Sequence, residues 1–127
     1  MRALIVDDSA VMRKVVERAL RKAGLNLSEV LQASNGVEAI ELIRTCEPLN
    51  LILSDINMPV MDGLQMLEEL RKESLATNVP IIMITTEGSA PLVMRAIAAG
   101  ARGYICKPFT PDQVQARVLP LLIPMST

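Results

Sequence analysis

Charged and hydroxyl side chains follow four of the apolar runs in this sequence, at the point where each run ends. The first run ends at Asp7-Asp8, the third at Asp55, the fourth at Thr85 and the fifth at Lys107. If these runs are parallel strands, their carboxyl ends share one rim of the sheet, where open α/β sheets bind ligands. The sequence therefore predicts a pocket that combines three carboxylates, a hydroxyl and an ammonium group.

Such a pocket suits phosphoryl chemistry. Clustered carboxylates repel one another unless a cation neutralises them, and oxygen ligands of this kind suit Mg²⁺, which also binds phosphate oxygens. An aspartate beside the metal can attack phosphorus and form an aspartyl phosphate, while a lysine and a threonine supply donors to the transferring group. Two functions stay open at this stage: a phosphoacceptor, and a metal-dependent phosphohydrolase with an aspartate nucleophile.

Each of these residues also has an ordinary explanation when it is taken alone. Asp7 and Asp8 can open a turn and cap a helix, and Asp55 can simply precede a turn. Thr85 can be an ordinary strand residue, and most lysines, including one at position 107, are solvated surface groups. Their shared position at strand ends, which no one of them requires, favours the functional interpretation.

Five short runs predict the strands that position these side chains. Four are close to continuously apolar, as expected of strands covered on both faces of a parallel sheet. The second run contains Gln32 and is less apolar, which suits an edge strand. The predicted strands are Ala3–Val6, Val30–Ala33, Leu51–Ser54, Ile81–Ile84 and Gly103–Cys106.

Segments with helical periodicity separate the strands. Ser9 is the expected N-cap of the first helix and Gly24 its expected stop. The other predicted helices are Val37–Thr45, Asp62–Ser74, Pro91–Ala99 and a last helix from about Pro111-Asp112, which Pro120 should break or kink. This alternation predicts an α/β domain with a parallel sheet and right-handed crossovers.

Composition narrows the function classes. The 127 residues fit one domain, 1–127, with no output domain, and half of them are hydrophobic. A net charge of -1 gives no reason to expect nucleic-acid or membrane binding, and no signal peptide or membrane-spanning run is present. Cys46 and Cys106 fit reduced thiols in a cytoplasmic protein. The absence of histidine excludes histidine-based catalysis and a self-supplied phosphohistidine.

Five motifs resemble those of response regulator receiver domains, most closely the single-domain chemotaxis type. They are LIVDDS at the first strand, NGVEAI at the second helix, SDINMPVMDG around Asp55, IIMITTE at the fourth strand and AGARGYICKPF near the fifth. The resemblance extends from Arg2 to about Val118. It implies a doubly wound, flavodoxin-like sheet of order 2-1-3-4-5 with helices on both faces.

The resemblance assigns roles in phosphorylation. It implies that Asp55 is the phosphoacceptor and that Mg²⁺ is bound by Asp8, Asp55 and the backbone carbonyl of Asn57, with Asp7 acting mainly through a metal-bound water. Lys107 would pair with the phosphoryl group. These assignments come from the family rather than from spacing alone.

It also assigns roles in switching and decay. Thr85 would donate its hydroxyl to the phosphoryl group, and Tyr104 would be the aromatic switch that moves inward with it. Asn57 and Glu87 would tune decay of the aspartyl phosphate by controlling the attacking water. The Lys107-Pro108 bond would be cis.

The implied function is a stand-alone receiver in a two-component phosphorelay, which accepts a phosphoryl group on Asp55 with Mg²⁺ and switches partner binding in chemotaxis-type signalling. Its expected partners are a histidine kinase or histidine phosphotransfer protein and a phosphorylation-dependent target. The chain would be a monomer and not an enzyme, apart from self-phosphorylation and autodephosphorylation. Two alternatives stay open: the phosphohydrolase, and a phosphate sink that drains a kinase without an output partner.

Overall fold

The structure is a computed structural model, and it describes residues 1–46, 48–86 and 90–122 of the chain. Within those residues, strands and helices alternate in the predicted order. The elements are β1 (Arg2–Val6), α1 (Ala10–Lys22), β2 (Glu29–Ala33), α2 (Gly36–Thr45), β3 (Leu51–Asp55), α3 (Gly63–Lys72), β4 (Ile81–Thr85), α4 (Ala90–Ala98), β5 (Gly103–Cys106), α5 (Pro111–Arg117) and α6 (Leu119–Leu122).

The strands form one parallel sheet of order β2-β1-β3-β4-β5. This confirms the α/β class and the 2-1-3-4-5 order that the resemblance implied. The edge position of β2 is also confirmed, and Gln32 is exposed there. In the register of β1 and β3, Val6 pairs with Ser54, so the residues that follow them lie side by side. The sheet register thus decides which polar side chains meet at the rim.

Two apolar layers cover the sheet, one on each face. Successive side chains of a strand point to opposite faces, and Leu4 and Ile5 accordingly belong to different layers. The layer containing Ile5 also takes buried side chains from α1 and α5. The layer containing Leu4 takes them from α2, α3 and α4. The predicted helices on both faces are therefore confirmed, and every strand but the edges is enclosed.

Local signals fix most helix ends. The Ser9 hydroxyl accepts a hydrogen bond from the Met12 amide (3.2 Å), which confirms it as the N-cap of α1. Gly24 follows α1 with a φ of 101°, a left-handed conformation that glycine adopts without strain. The prediction that α3 reaches Ser74 is wrong, because α3 ends at Lys72. Ser74 has a φ of 56°, which is incompatible with a continuing right-handed helix.

The last helix is interrupted, as Pro120 predicts. Helix α5 ends at Arg117, and the four-residue α6 follows. Proline removes a backbone donor and its ring clashes with the preceding turn, so one continuous helix cannot run through this position. Leu121 and Leu122 of α6 nevertheless pack against the core layer of α1 and α5. Among the described helices, none has the length and apolar character needed to cross a membrane.

The loop between β3 and α3 carries a conformational strain at Val60. Its φ is 69°, and its side chain is 81% exposed. A β-branched residue in this region is a true outlier, and such strain costs about 1–3 kcal/mol. Burial of the Val60 side chain cannot offset it, because most of that side chain is in solvent.

We predict that Val60→Asn raises the free energy of unfolding by about 1 kcal/mol, because asparagine tolerates the left-handed conformation better. Urea denaturation measures the change. The matched control is Val11→Asn, since Val11 is also exposed (72%) but lies in helix α1, where the change brings no relief. Equal effects of the two substitutions would show that strain at Val60 is not the cause.

Candidate functional site

The carboxyl ends of β1 and β3 bring three carboxylates together. Asp7, Asp8 and Asp55 each offer an oxygen, and these oxygens lie within 4.8 Å of one another. Asp7 and Asp55 are buried, whereas Asp8 is exposed. The three carboxylates therefore converge as the strand ends predicted. The exposed Asp8 leaves one side of this cluster open to solvent.

Lys107 supplies a positive charge to this cluster. Its Nζ lies 3.5 Å from Asp55 Oδ2, and its backbone amide donates to the Thr85 carbonyl (2.7 Å), which fixes the end of β5 against β4. The Lys107-Pro108 bond is cis, as the resemblance implied. One ammonium group faces three carboxylates, so the cluster remains anionic even with the ion pair formed.

The backbone around Asp55 holds its carboxylate in one orientation. The Ile56 amide donates to Asp55 Oδ1 (2.8 Å), while Oδ2 faces Lys107. The following loop closes tightly on this strand end through a bond from the Gly63 amide to the Ile56 carbonyl (2.8 Å). A Cβ at Gly63 would lie within clash distance of the Asp55 carbonyl oxygen, so the close approach requires glycine there.

Asp7 is the electrostatically strained member of the cluster. Burial raises its pKa above the ordinary value, and the charges of Asp55 and Asp8 raise it further, although the amide of Ser9 and the charge of Lys107 act in the opposite direction. Asp7 Oδ1 accepts from the Ser9 amide (2.8 Å). Among the described residues, Asp7 Oδ2 is a buried side-chain oxygen that has no hydrogen-bond partner.

This donor set fits a hard divalent cation. All the donors are oxygens, three carboxylates converge, and one buried carboxylate oxygen lacks a protein partner. Buried polar atoms are normally satisfied, so an oxygen of this kind needs an explanation, and a bound cation gives one. Carboxylates of Asp7, Asp8 and Asp55 are the groups that would hold it.

The structure describes three of the four other predicted site residues, namely Thr85, Asn57 and Tyr104. Thr85 is 1% exposed at the end of β4 and pairs in register with Cys106. Asn57 is exposed in the loop after Asp55. Tyr104 is half-buried on β5, with the guanidinium carbon of Arg117 lying 5.3 Å from its ring centroid. Glu87 lies outside the described residues. The roles expected of these four side chains stay predictions.

Arg13 is a site residue that the sequence did not reveal. Its Nη1 donates to the backbone carbonyl of Asp7 (2.5 Å), and its Nε donates to Gln32 Oε1 on β2 (2.8 Å). The side chain therefore ties the first turns of α1 to the end of β1 and to the edge strand. The only sequence signals are a polar residue within a strand and an arginine on α1. Their connection depends on the pairing of β1 with β2.

Residues 3–119 match the family model described as the response regulator receiver domain. The chain belongs to the response regulator receiver domain family. Receiver domains are signalling modules rather than enzymes that turn over external substrates, so the phosphohydrolase alternative is not supported. A cluster of three aspartates is also typical of the Mg²⁺ site of receiver domains.

Curated relatives of this receiver domain include chemotaxis proteins. A CheY homolog of Campylobacter jejuni is 40% identical over 118 residues, which cover 93% of this chain and 89% of that protein. CheY1 of Helicobacter pylori is also 40% identical, with 93% and 94% covered. The receiver domain therefore matches nearly the whole length of these relatives.

Solved structures show the same fold. CheY4 of Vibrio cholerae is 36% identical, with a TM-score of 0.78 over 91% of this chain and 92% of that chain. A second similar structure is the CheX-CheY-BeF3-Mg²⁺ complex of Borrelia burgdorferi, at 30% identity and a TM-score of 0.83. It covers 97% of this chain and 90% of that chain. The Borrelia complex thus contains Mg²⁺ and a CheX partner.

We predict that Arg13→Gln lowers the free energy of unfolding by about 1–2 kcal/mol. The substitution removes a charged donor from the Asp7 carbonyl, and hydrogen bonds to charged groups contribute about 1.5–3 kcal/mol. The control is Arg18→Gln on the same helix, an exposed position where surface changes stay within about 0.5 kcal/mol. Urea denaturation without metal measures both. Equal losses in the two variants would rule out a specific brace at Arg13.

We predict that Asp7→Asn stabilises the metal-free protein at pH 7, by about 1 kcal/mol on the usual scale of point substitutions. The pKa of Asp7 is raised in the folded state, so protonation of this carboxyl stabilises the fold. This contribution is fully present below the ordinary pKa of an aspartate. That stability is lost as pH rises through the folded pKa. Asparagine keeps an acceptor for the Ser9 amide but carries no charge. The advantage should therefore shrink as pH falls.

Urea denaturation in EDTA between neutral pH and about pH 4, near the ordinary aspartate pKa, measures this dependence. Asp112→Asn serves as the control because Asp112 is an exposed aspartate in the first turn of α5. A variant at Asp7 that is less stable than the wild type at every pH would contradict the electrostatic account of the cluster.

Proposed function

We propose that this receiver domain accepts a phosphoryl group on Asp55 with bound Mg²⁺ and that phosphorylation changes its binding to a protein partner. The observation that carries the proposal is the cluster of Asp7, Asp8 and Asp55 oxygens within 4.8 Å, with Lys107 Nζ 3.5 Å from Asp55 Oδ2. A nucleophile, a cation site and a donor for phosphoryl oxygens thereby meet in one small pocket.

The geometry favours Oδ2 of Asp55 as the attacking oxygen. Oδ1 is engaged by the Ile56 amide, so Oδ2 is the oxygen that faces the pocket and Lys107. In the transfer, Oδ2 forms a bond to phosphorus while the bond from phosphorus to the donor breaks. Lys107 then pairs with an oxygen of the transferred group, as its position beside Oδ2 allows. Because Lys107 already faces this oxygen, little reorganisation is needed.

The cation would be held by Asp7, Asp8, Asp55 and the backbone carbonyl of Asn57, with Asp7 acting mainly through water. When bound, Mg²⁺ neutralises the carboxylates and the phosphoryl oxygens. The unpartnered Oδ2 of Asp7 and the raised pKa of that carboxyl support a cation at this position. Without a cation, transfer would bring an anionic phosphoryl group into a site whose carboxylates are already negative.

Thr85 and Tyr104 are proposed to carry the signal away from Asp55. Thr85 ends β4 next to the site, and Tyr104 lies on β5, the strand that also carries Lys107 toward the site. A Thr85 hydroxyl drawn to the phosphoryl group would change the space available to the Tyr104 ring. The ring lines a surface groove between α4 and α5, where such a movement would alter a partner's contact surface.

The phosphoryl donor must come from outside the chain, since the chain has no histidine. We propose a histidine kinase or histidine phosphotransfer protein as donor, and a protein target that recognises the phosphorylated form. The named relatives of Campylobacter and Helicobacter support chemotaxis-type signalling. We also propose that the protein is a monomeric single domain over residues 1–127 and acts in the cytoplasm, where its two free cysteines stay reduced.

We predict that acetyl phosphate adds one phosphoryl group to the wild-type protein with Mg²⁺ and none with EDTA. Intact mass spectrometry measures the addition. Asp55→Asn should lose it completely because the nucleophilic oxygen is gone. Asp62→Asn is the control, since asparagine can still cap α3, and it should label as the wild type does. Equal labelling of Asp55→Asn and wild type would refute Asp55 as acceptor.

We predict that Asn57→Arg slows hydrolysis of the aspartyl phosphate by about tenfold, or ~1.4 kcal/mol in barrier height. A bulky cation two residues after Asp55 would crowd the water that attacks in line. Glu87→Ala should change the rate as well. Loss of radiolabelled phosphate after donor removal gives the rates. Unchanged decay in both variants would show that neither side chain controls the water.

A further inference from the structure

A cavity of about 220 Å³ lies at the end of the sheet opposite the acidic cluster. Ile81, which lines it, begins β4, whereas Thr85 at the other end of the same strand lies beside the phosphoacceptor. The cavity lies between the end of α3, the loop before β4 and the residues that follow α4. A ligand there would not touch Asp55, so the cavity is a separate candidate site.

Most of the residues that line the cavity have apolar side chains. Its base is formed by core side chains, and its wall by half-buried side chains from the loop before β4. The apolar side chains that line the cavity include Leu67, Leu70, Ile81, Leu75, Ala76 and Val79. Burial of an apolar group here would remove water from contact with several hydrocarbon surfaces at once, which favours binding.

Two arginines give the lining a positive charge. Arg71 and Arg102 line the cavity, and no aspartate or glutamate is among its described lining residues. Arg71 Nη1 donates to the Ala98 carbonyl (2.8 Å), which satisfies one carbonyl at the end of α4 and fixes the guanidinium at the cavity. A guanidinium has five N–H donors in a planar fork, so Arg71 retains further donors suited to a carboxylate.

The loop that forms the wall holds a strained conformation. Ser74 and Ala76 have φ angles of 56° and 53°, in the left-handed region that non-glycine residues seldom adopt. Hydrogen bonds from the Leu75 amide to the Leu70 carbonyl (2.9 Å) and from the Val79 amide to the Ala76 carbonyl (3.2 Å) hold it. The left-handed Ser74 and the hydrogen bond from Leu75 to Leu70 also close the end of α3, so the wall is preformed and binds with little ordering cost.

We propose that this cavity binds a small amphipathic carboxylate, with its hydrocarbon tail inside and its charged group on Arg102 and Arg71. The volume accommodates about seven water-sized groups and is below the roughly 300–1,000 Å³ of sites for drug-sized ligands. A straight-chain acid of medium length therefore fits the cavity in size, polarity and charge. The proposal does not depend on phosphorylation of Asp55.

Octanoate is the probe, titrated into the full chain and followed by backbone amide chemical shifts. Two reference compounds separate the contributions of the charge and the tail to binding. Acetate has the charge without the tail, and octan-1-ol has the tail without the charge. We expect saturable shifts concentrated at residues 70–81 and 99–102. Octan-1-ol should bind about threefold more weakly, the scale of an exposed ion pair, and acetate should give no saturable shifts.

Variants test the contacts. Arg102→Gln should weaken octanoate about threefold and leave octan-1-ol unchanged. Arg95→Gln is the matched control, because Arg95 is an exposed arginine of α4 outside the cavity lining, and it should change neither affinity. Ala99→Leu, which adds volume at the lining, should weaken both compounds. Urea denaturation of each variant checks that it is folded.

Three results would overturn the proposal: no saturable octanoate binding, shifts centred elsewhere, or equal affinity for octanoate and octan-1-ol with no effect of Arg102→Gln. The last result would show a plain apolar cavity without carboxylate recognition. Should Ala99→Leu fail to fold, the comparison of Arg102→Gln with Arg95→Gln still decides the assignment. None of these outcomes depends on whether Asp55 is the phosphoacceptor.

Discussion

Repulsion among three carboxylates at one rim of the sheet is the constraint to which the surrounding structure responds. Asp7, Asp8 and Asp55 present oxygens within 4.8 Å of one another, although burial already disfavours the charge of Asp7. Lys107 offsets part of this charge through Asp55. Arg13 donates a hydrogen bond to the backbone carbonyl of Asp7 and holds the strand end in place. The cluster therefore keeps a net negative charge, which a bound cation would neutralise.

The apolar core makes this arrangement possible. Side chains that alternate between two core layers, such as Leu4 and Ile5, fix the register of β1 against β3, and a slip of one residue would send each to the wrong face. Because the register is fixed, the ends of the strands cannot move apart to relieve the repulsion. The opposite end of the sheet carries no such cluster in the described residues, and there an apolar cavity with two arginines is found instead.

Patterns that depend on neighbouring residues were predictable from the sequence. Apolar runs located the strands to within about a residue, Ser9 located the start of α1, and Pro120 predicted the break after α5. The strand order came from the family resemblance. The brace between Arg13 and Gln32 was not predictable, because it joins residues through the pairing of β1 with β2. The early end of α3 depends on the left-handed conformation of Ser74, and serine carries no strong signal for it.

The most direct test of the account is the thermal stability of the wild-type chain across a Mg²⁺ series, with EDTA as the starting point. If the carboxylates form a cation site, Mg²⁺ relieves their repulsion in the folded state alone. Stability should then rise with the logarithm of Mg²⁺ concentration, reaching about 2.7 kcal/mol at one hundred times the dissociation constant. A melting temperature that is the same in EDTA and throughout the Mg²⁺ series would contradict the account.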